Sequence, residues 1–285
     1  MEKIAENVYA STDYPGVNCG FIVMPAGVIA VDAPTLPRHA RAWRDEILAT
    51  AGVPLLYVVL TDGHPDRLLS AGVLCGSRDV AIVAARAAYD RASEYTDGFW
   101  RGVVDGWARR YPEAANELTQ ARIKLPEVMF TTGLTLHKGG KDLKIERVVG
   151  AAPGSAWVHL PEQDVLFAGD TLVVRNHPFM DAAPDTKGWL NTLTALRRAR
   201  FSDTTIVPGR GPLCTQSDTR PLSDYIALAR RRMRSLHRAQ QTRKDVADVV
   251  EEMLPLFHVP DEERELVQRR IKAGLEQVYR ELQPQ

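Results

Sequence analysis

The chain predicts an α/β fold carrying a helical insert and a helical tail, and three observations carry that reading. Short Val- and Ile-rich runs alternate with a helical pattern within residues 20–61. The stretch from Arg86 to Glu127 loses the strand texture and reads as helix. Everything after Pro221 reads as helix as well.

Taken in order, "NVYAS" and "GFIVMPAGVIAVDAP" are β-rich. Pro25-Ala26-Gly27 turns Gly20–Met24 back onto Val28–Val31, a hairpin with Asp32 at its end. "RHARAWRDEILATAG" has apolar and small residues at helical spacing, with Gly52 as C-cap. "PLLYVVLT" is a buried strand and "DVAIVAA" another. The insert should break near Gly98, Gly106 and Pro112. "LTLHKGGKDLKIERVVG" predicts a hairpin turning at Gly139-Gly140, and "AWVHLPEQDVLFAGDTLV" a second turning near Glu162-Gln163. "GWLNTLTALRRAR" is a helix, and "DTTIVPGRGP" a strand running into a glycine loop. The expected division is a domain over residues 1–220, with its insert at about 86–127, and a helical extension over 221–285.

Thirty-six basic residues balance thirty-six acidic ones, so no global field draws the chain to nucleic acid or to a membrane. "ARRRMRSLHRAQQTRK" is strongly basic but lacks aromatics, and reads as a solvated helix face. No apolar run approaches the roughly 18 residues of a membrane span, and the start lacks the basic-then-apolar order of a signal peptide. Cys19, Cys75 and Cys214 form no CxxC pair and read as small buried hydrophobes. A soluble, cytoplasmic protein is expected.

The chemistry concentrates in "VVLTDGHPDRLLSAG". An apolar strand leads into a loop holding Asp62, His64, Asp66 and Arg67 within six positions, at spacings that let them aim at one point. "GAAPGS", "LFAGDTL" and "VPGRGP" follow in order. With the first hairpin, these stretches resemble the metallo-β-lactamase-fold superfamily, in particular its glyoxalase II-like hydrolases, over roughly residues 5–215. The family writes T-H-x-H-x-D-H, G-H-T-P-G-S, G-D and P-G-H-G-P at the corresponding places. The resemblance implies an αββα four-layer sandwich with the site at the sheet edges. It also implies a hydrolase mechanism in which two metal ions lower the pKa of a bridging water.

Carried over residue by residue, the first-metal histidines fall on Asp62, His64 and Ala151. The second-metal ligands fall on Asp66, Arg67 and Arg210, and the bridging carboxylate on Asp170. His64, Asp66 and Asp170 keep the family residue; Asp62, Arg67, Ala151 and Arg210 depart from it. A guanidinium keeps its proton and does not ligate zinc. It does pair with the carboxylates that a missing cation would strand, at a cost of several kcal/mol each. The loop therefore reads as a metal loop rebuilt as an ion-pair network, with no cofactor expected.

His64, Asp66, Arg67 and Arg210 are the candidate catalytic residues. His177, in the segment after Asp170, and Trp100 and Trp107, on an aromatic stripe of the insert with Tyr95, Phe99 and Tyr111, are candidates for substrate binding; core packing is the competing reading of that stripe. Three functions stay open. One is a divergent member without the dinuclear site that binds or acts on a small ligand, an anion among the options. Another is an ester, thioester or lactone hydrolase with a single zinc or other divalent metal on Asp62, His64 and Asp170. The third is a non-catalytic binding or regulatory protein. The expected partner is a small molecule. A homodimer is left open, because Leu266, Val267, Ile271, Leu275, Val278 and Leu282 form one stripe on the last helix.

Overall fold

In the computed structural model, which describes residues 1–76, 79–138, 141–239 and 246–283, two mixed β-sheets pack face to face between helices. The first sheet takes its strands in chain order: β1 (Glu2–Ala5), β2 (Val8–Ser11), β3 (Cys19–Met24) and β4 (Gly27–Val31), then, after helix α1 (Pro37–Ala51), β5 (Leu55–Val59). Two short helices follow, α2 (Pro65–Leu68) and α3 (Ala71–Cys75), then β6 (Ala81–Ala85). The insert supplies α4 (Arg86–Ser93), α5 (Asp97–Arg110) and α6 (Ala115–Gln120) before β7 (Val128–Phe130) closes the first sheet. β1 to β4 run antiparallel, and β4 to β7 parallel.

The second sheet has the order β12-β11-β10-β9-β8, built from β8 (Gly133–Lys138), β9 (Lys141–Arg147), β10 (Ala156–Leu160), β11 (Val165–Val173) and β12 (Thr205–Arg210). Helix α7 (Thr186–Leu196) precedes β12, which pairs parallel with β11. The chain ends in α8 (Thr219–Arg238), α9 (Val246–Met253) and α10 (Arg264–Glu281).

Three apolar layers hold this stack together. Val8, Ile22, Ile29, Val59 and Val83 of the first sheet meet Ile145, Val158, Val165, Phe167 and Val207 of the second. α1, α3 and α4 cover the outer face of the first sheet through Trp43, Ile47, Leu74 and Ala88. α7, α8, α9 and α10 share one cluster with β11 over the second sheet. The αββα sandwich of the resemblance is therefore the observed architecture.

Local expectations fare unevenly. Gly52 ends α1 in the left-handed region, at φ 64°. Pro112 does end the second insert helix, but Gly106 does not break it: α5 runs unbroken from its Thr96 cap, whose hydroxyl accepts from the Phe99 amide. A glycine in a helix interior costs only about 1 kcal/mol against alanine, which neighbouring helical residues absorb. The turn at Gly139-Gly140 lies outside the described residues, as do Arg243 and Lys244 of the basic run. On α10, Val267, Ile271, Leu275 and Val278 are buried within the chain's own core, so that stripe is spent internally. Among the described residues, no helix is long and apolar enough to cross a membrane.

Candidate functional site: an ion-pair cluster beside a cavity

The strand ends of both sheets converge on one buried charge cluster. Asp32 follows β4, Thr61 and Asp62 follow β5, and Asp66 and Arg67 lie on α2. Asp170 lies in β11, and Arg210 ends β12. Two glycines let these elements approach. Gly169 sits at φ +55° with Thr61 against it, and a side chain at Gly209 would collide with the Asp170 carboxylate. Asn18 fastens the loop after β12, its side-chain amide donating to Pro208 O at 2.9 Å and Gly211 O at 2.7 Å.

Arg67 is fully buried, at 0% exposure, and its guanidinium is shared among carboxylates. Nη1 and Nη2 donate to the two oxygens of Asp170 at 3.1 Å each, a bidentate pair. Nε donates to Thr61 Oγ1 at 2.8 Å and Asp32 Oδ2 at 3.1 Å, and Nη1 lies 3.4 Å from Asp62 Oδ1. Arg210 bridges the remaining acids: Nη2 donates to Asp66 Oδ2 at 3.0 Å and Asp170 Oδ2 at 3.2 Å, and Nη1 to Gly16 O at 2.9 Å. Asp66 Oδ1 accepts from Trp107 Nε1 at 2.9 Å, which ties the insert to the cluster.

The titration behaviour follows this wiring. Burial alone would push Asp170 up, but Arg210 and Arg67 hold its carboxyl far below the usual carboxylate range. Burial likewise opposes Asp66, yet His64, Arg210 and the Trp107 bond pull it down to about 2. Asp32 goes the other way: burial pushes it up and Arg67 offsets only part of that. It is held at φ 55°, and its oxygens accept from the Thr61 amide at 2.9 Å and the Thr61 hydroxyl at 2.7 Å. Asp62 Oδ1 accepts from the His64 amide at 2.8 Å, while its buried Oδ2 has no hydrogen-bond partner among the described residues.

His64 caps α2. Its Nδ1 accepts from the Asp66 amide at 3.2 Å, and Pro65 starts the helix with its ready-made φ. His64 and Asp66 line a cavity of about 770 Å³. Its walls come from Tyr95, Phe99, Val103 and Trp107 of the insert, from Phe179, and from Glu262, Glu263, Leu266 and Arg269 near and on α10. Phe179 meets the His64 ring edge-on at 4.7 Å and lies between the guanidiniums of Arg210 and Arg270, at 4.3 and 3.9 Å from its centroid.

Asp62, His64, Asp66, Arg67, Asp170 and Arg210 are thus brought together, with Trp107 at their edge. Two expected ligand contacts lie elsewhere. His177 is buried against the C-terminal helices, its ring nitrogens within 3.2 Å of Tyr225 Oη and 3.1 Å of Leu254 O. Trp100 does not line the cavity; it packs edge-on against Tyr95 and Phe99, toward the apolar cluster of Leu36, Leu69 and Trp107. Ala151 is buried in the cluster behind the second sheet. Arg67 has no exposed surface with which to touch a ligand. Sequence reasoning passed over Asn18, Asp32 as an ion-pair partner, Phe179 and Arg270; of these, only Asp32 carried a signal, as the acid ending an apolar strand. The three cysteines are buried and unpaired, with burial pushing Cys75 up to about 11 and Cys214 to about 12, which keeps both as thiols.

A dinuclear metal centre does not fit this arrangement. Both Asp170 oxygens are engaged by guanidiniums, Asp66 is divided between Arg210 and Trp107, and two permanent cations stand within the cluster. Among the described residues, no three His, Cys, Asp or Glu side chains are grouped so that they could hold a metal ion.

The chain is an αββα sandwich with its polar cluster at the strand ends of both sheets. The metallo-beta-lactamase superfamily model matches residues 13–210, and the chain belongs to that superfamily. Among solved structures, the inverting sec-alkylsulfatase Pisa1 from a Pseudomonas species is similar with a TM-score of 0.73 and 17% identity, over 98% of this chain and 49% of that one. The present chain therefore spans about half the length of that sulfatase. A metallo-β-lactamase family protein from Thermus thermophilus is similar with a TM-score of 0.68 and 20% identity, over 98% and 95% of the two chains. A metallo-β-lactamase from Pontibacter korlensis gives 0.59 and 20%, over 79% and 97%. No curated protein sequence matches the chain.

Proposed function

We propose that this protein is a metal-independent member of its superfamily that binds a small ligand in the cavity beside the arginine–aspartate cluster. The observation that carries the reading is the bidentate Arg67–Asp170 pair, with Arg210 bridging Asp170 to Asp66. Those two guanidiniums stand where the resemblance puts second-metal ligands. They supply in permanent form the positive charge that a metal ion would otherwise bring. In this role Arg67 and Arg210 hold the site's shape, and His64 with Asp66 forms its polar floor. The order of the motifs supports descent from a glyoxalase II-like hydrolase.

The reading of a single divalent metal on Asp62, His64 and Asp170 is less well supported, because Asp170 has no oxygen free of a guanidinium. Elemental analysis of protein purified without chelator tests the proposal, together with melting in the presence and absence of EDTA. The expected result is clearly less than one zinc per chain and an unchanged melting temperature. A stoichiometric metal whose removal lowers the melting temperature would overturn it.

A further inference from the structure

We infer that the cavity takes a ligand with a flat apolar body ending in an acceptor-only oxygen group, a carboxylate above all, received by the Nε2–H of His64. This deepens the reading of the cavity as the binding site and rests on it.

The polarity of the floor is decided by a backbone bond. His64 Nδ1 accepts from the Asp66 amide at 3.2 Å. In a neutral imidazole, the nitrogen that accepts carries no proton, so the proton resides on Nε2. Nε2 has no partner among the described residues, and His64 lines the cavity. The His64 side chain is 15% exposed, so the ring reaches accessible space. His64 therefore presents a donor, not a base, to whatever enters. Asp66 Oδ2 lies 3.6 Å from Nδ1, beyond hydrogen-bond reach, and is held by Arg210 at 3.0 Å while Trp107 holds Oδ1 at 2.9 Å, so the amide is the group that bonds Nδ1. The rim carries both signs of charge and does not select, so the choice of head group falls to the floor.

The body follows from the walls. Tyr95 and Phe99 stack at 4.2 Å with an interplanar angle of 8°, and Trp107 and Tyr111 stack at 5.6 Å. Phe179 closes the side nearest His64. A cavity of about 770 Å³ walled by rings accommodates a fused aromatic or an equally flat apolar group.

The test is calorimetric titration at pH 8 with 2-naphthoate and with 2-(aminomethyl)naphthalene, which share a body and differ in head. Naphthoate should bind, the amine should bind at least tenfold more weakly, and His64→Phe should weaken naphthoate about tenfold or more. Nitrogen NMR of the wild-type imidazole provides a readout independent of the variant's folding, and should show the proton on Nε2. No naphthoate binding, equal binding of the amine, indifference to His64→Phe or a proton on Nδ1 would each overturn the inference. Gly102→Trp separates it from the reading beneath. Gly102 lines the cavity and a Cβ there meets open space, so the indole should block entry. Naphthoate binding that survives this substitution would place the ligand elsewhere and sink the cavity reading itself. Binding abolished by Gly102→Trp but indifferent to His64→Phe would sink only the donor assignment.

Discussion

Replacing Arg67 by methionine removes the charge of the cluster's innermost cation while keeping most of its apolar volume. The side chain is fully buried and donates to both Asp170 oxygens, to Asp32 and to Thr61, so no water stands ready to replace it. Arg210 remains on Asp170, but Asp32 and Asp62 lose their cation. Breaking a buried pair from one side costs about 3–5 kcal/mol, which for a chain of this size lowers the melting temperature by roughly 10 °C. The deficit has a definite pH dependence. Stranded carboxylates have their folded pKa raised above the unfolded value, so the penalty is full at neutral pH and fades as pH falls through the raised pKa toward the unfolded one. Urea denaturation of wild type and Arg67→Met at pH 7 and at pH 4.5, with a double-mutant cycle through Asp170→Asn, measures both effects. The Arg67–Asp170 coupling should exceed about 1 kcal/mol. A loss under about 1 kcal/mol at pH 7, or no coupling, would refute the idea that Arg67 is the electrostatic centre of the site.

Three further outcomes follow from the same wiring. Trp107→Phe removes the Nε1 donor to Asp66 Oδ1 together with part of a buried ring, so it should cost at least about 1–3 kcal/mol in urea and raise the Asp66 pKa from about 2, the latter read by carboxyl NMR. In wild type, Asp66 and Asp170 are depressed, so their contribution is complete above pH ~4 and is lost as pH falls toward their folded values. Asp66 alone accounts for roughly 2 kcal/mol of this between pH ~4 and ~2, while raised Asp32 works with the opposite sign and costs stability as pH rises through its own range. An acid melting profile flat between pH 4 and 2 would contradict this. His177→Ala should lower stability by removing a ring wedged between Tyr225, Leu254 and Phe257, yet leave ligand affinity unchanged, which titration of the variant checks.

Much of the fold was legible because strands and helices announce themselves through local periodicity and through glycine and proline. The β3–β4 hairpin, α1 with its Gly52 cap and the strand before Asp62 are local patterns. The order of the motif loops then implied which strand ends meet. Charge type was also legible: arginine at positions 67 and 210 excludes those side chains as metal ligands whatever the fold.

Which carboxylate each arginine serves was decided only by tertiary structure, because the partners lie far apart in the chain: Arg67 and Asp170 are 103 positions apart, Arg210 and Asp66 are 144. Burial was decided there too, and with it the opposite displacements of Asp32 and Asp66, two aspartates with the same intrinsic acidity. The aromatic stripe shows the same division. Helical spacing put Trp100 and Trp107 on one segment, but the docking of α5 sent Trp107 to Asp66 and Trp100 away from the cavity. His177 followed a strand leading from the site, yet packing of the C-terminal helices enclosed it. Sequence determined the residue types and the local elements, since those depend on neighbours within a few positions. The fold decided which charges meet, which rings face the cavity and which histidine stays open, since those depend on distances set by the packing of the whole chain.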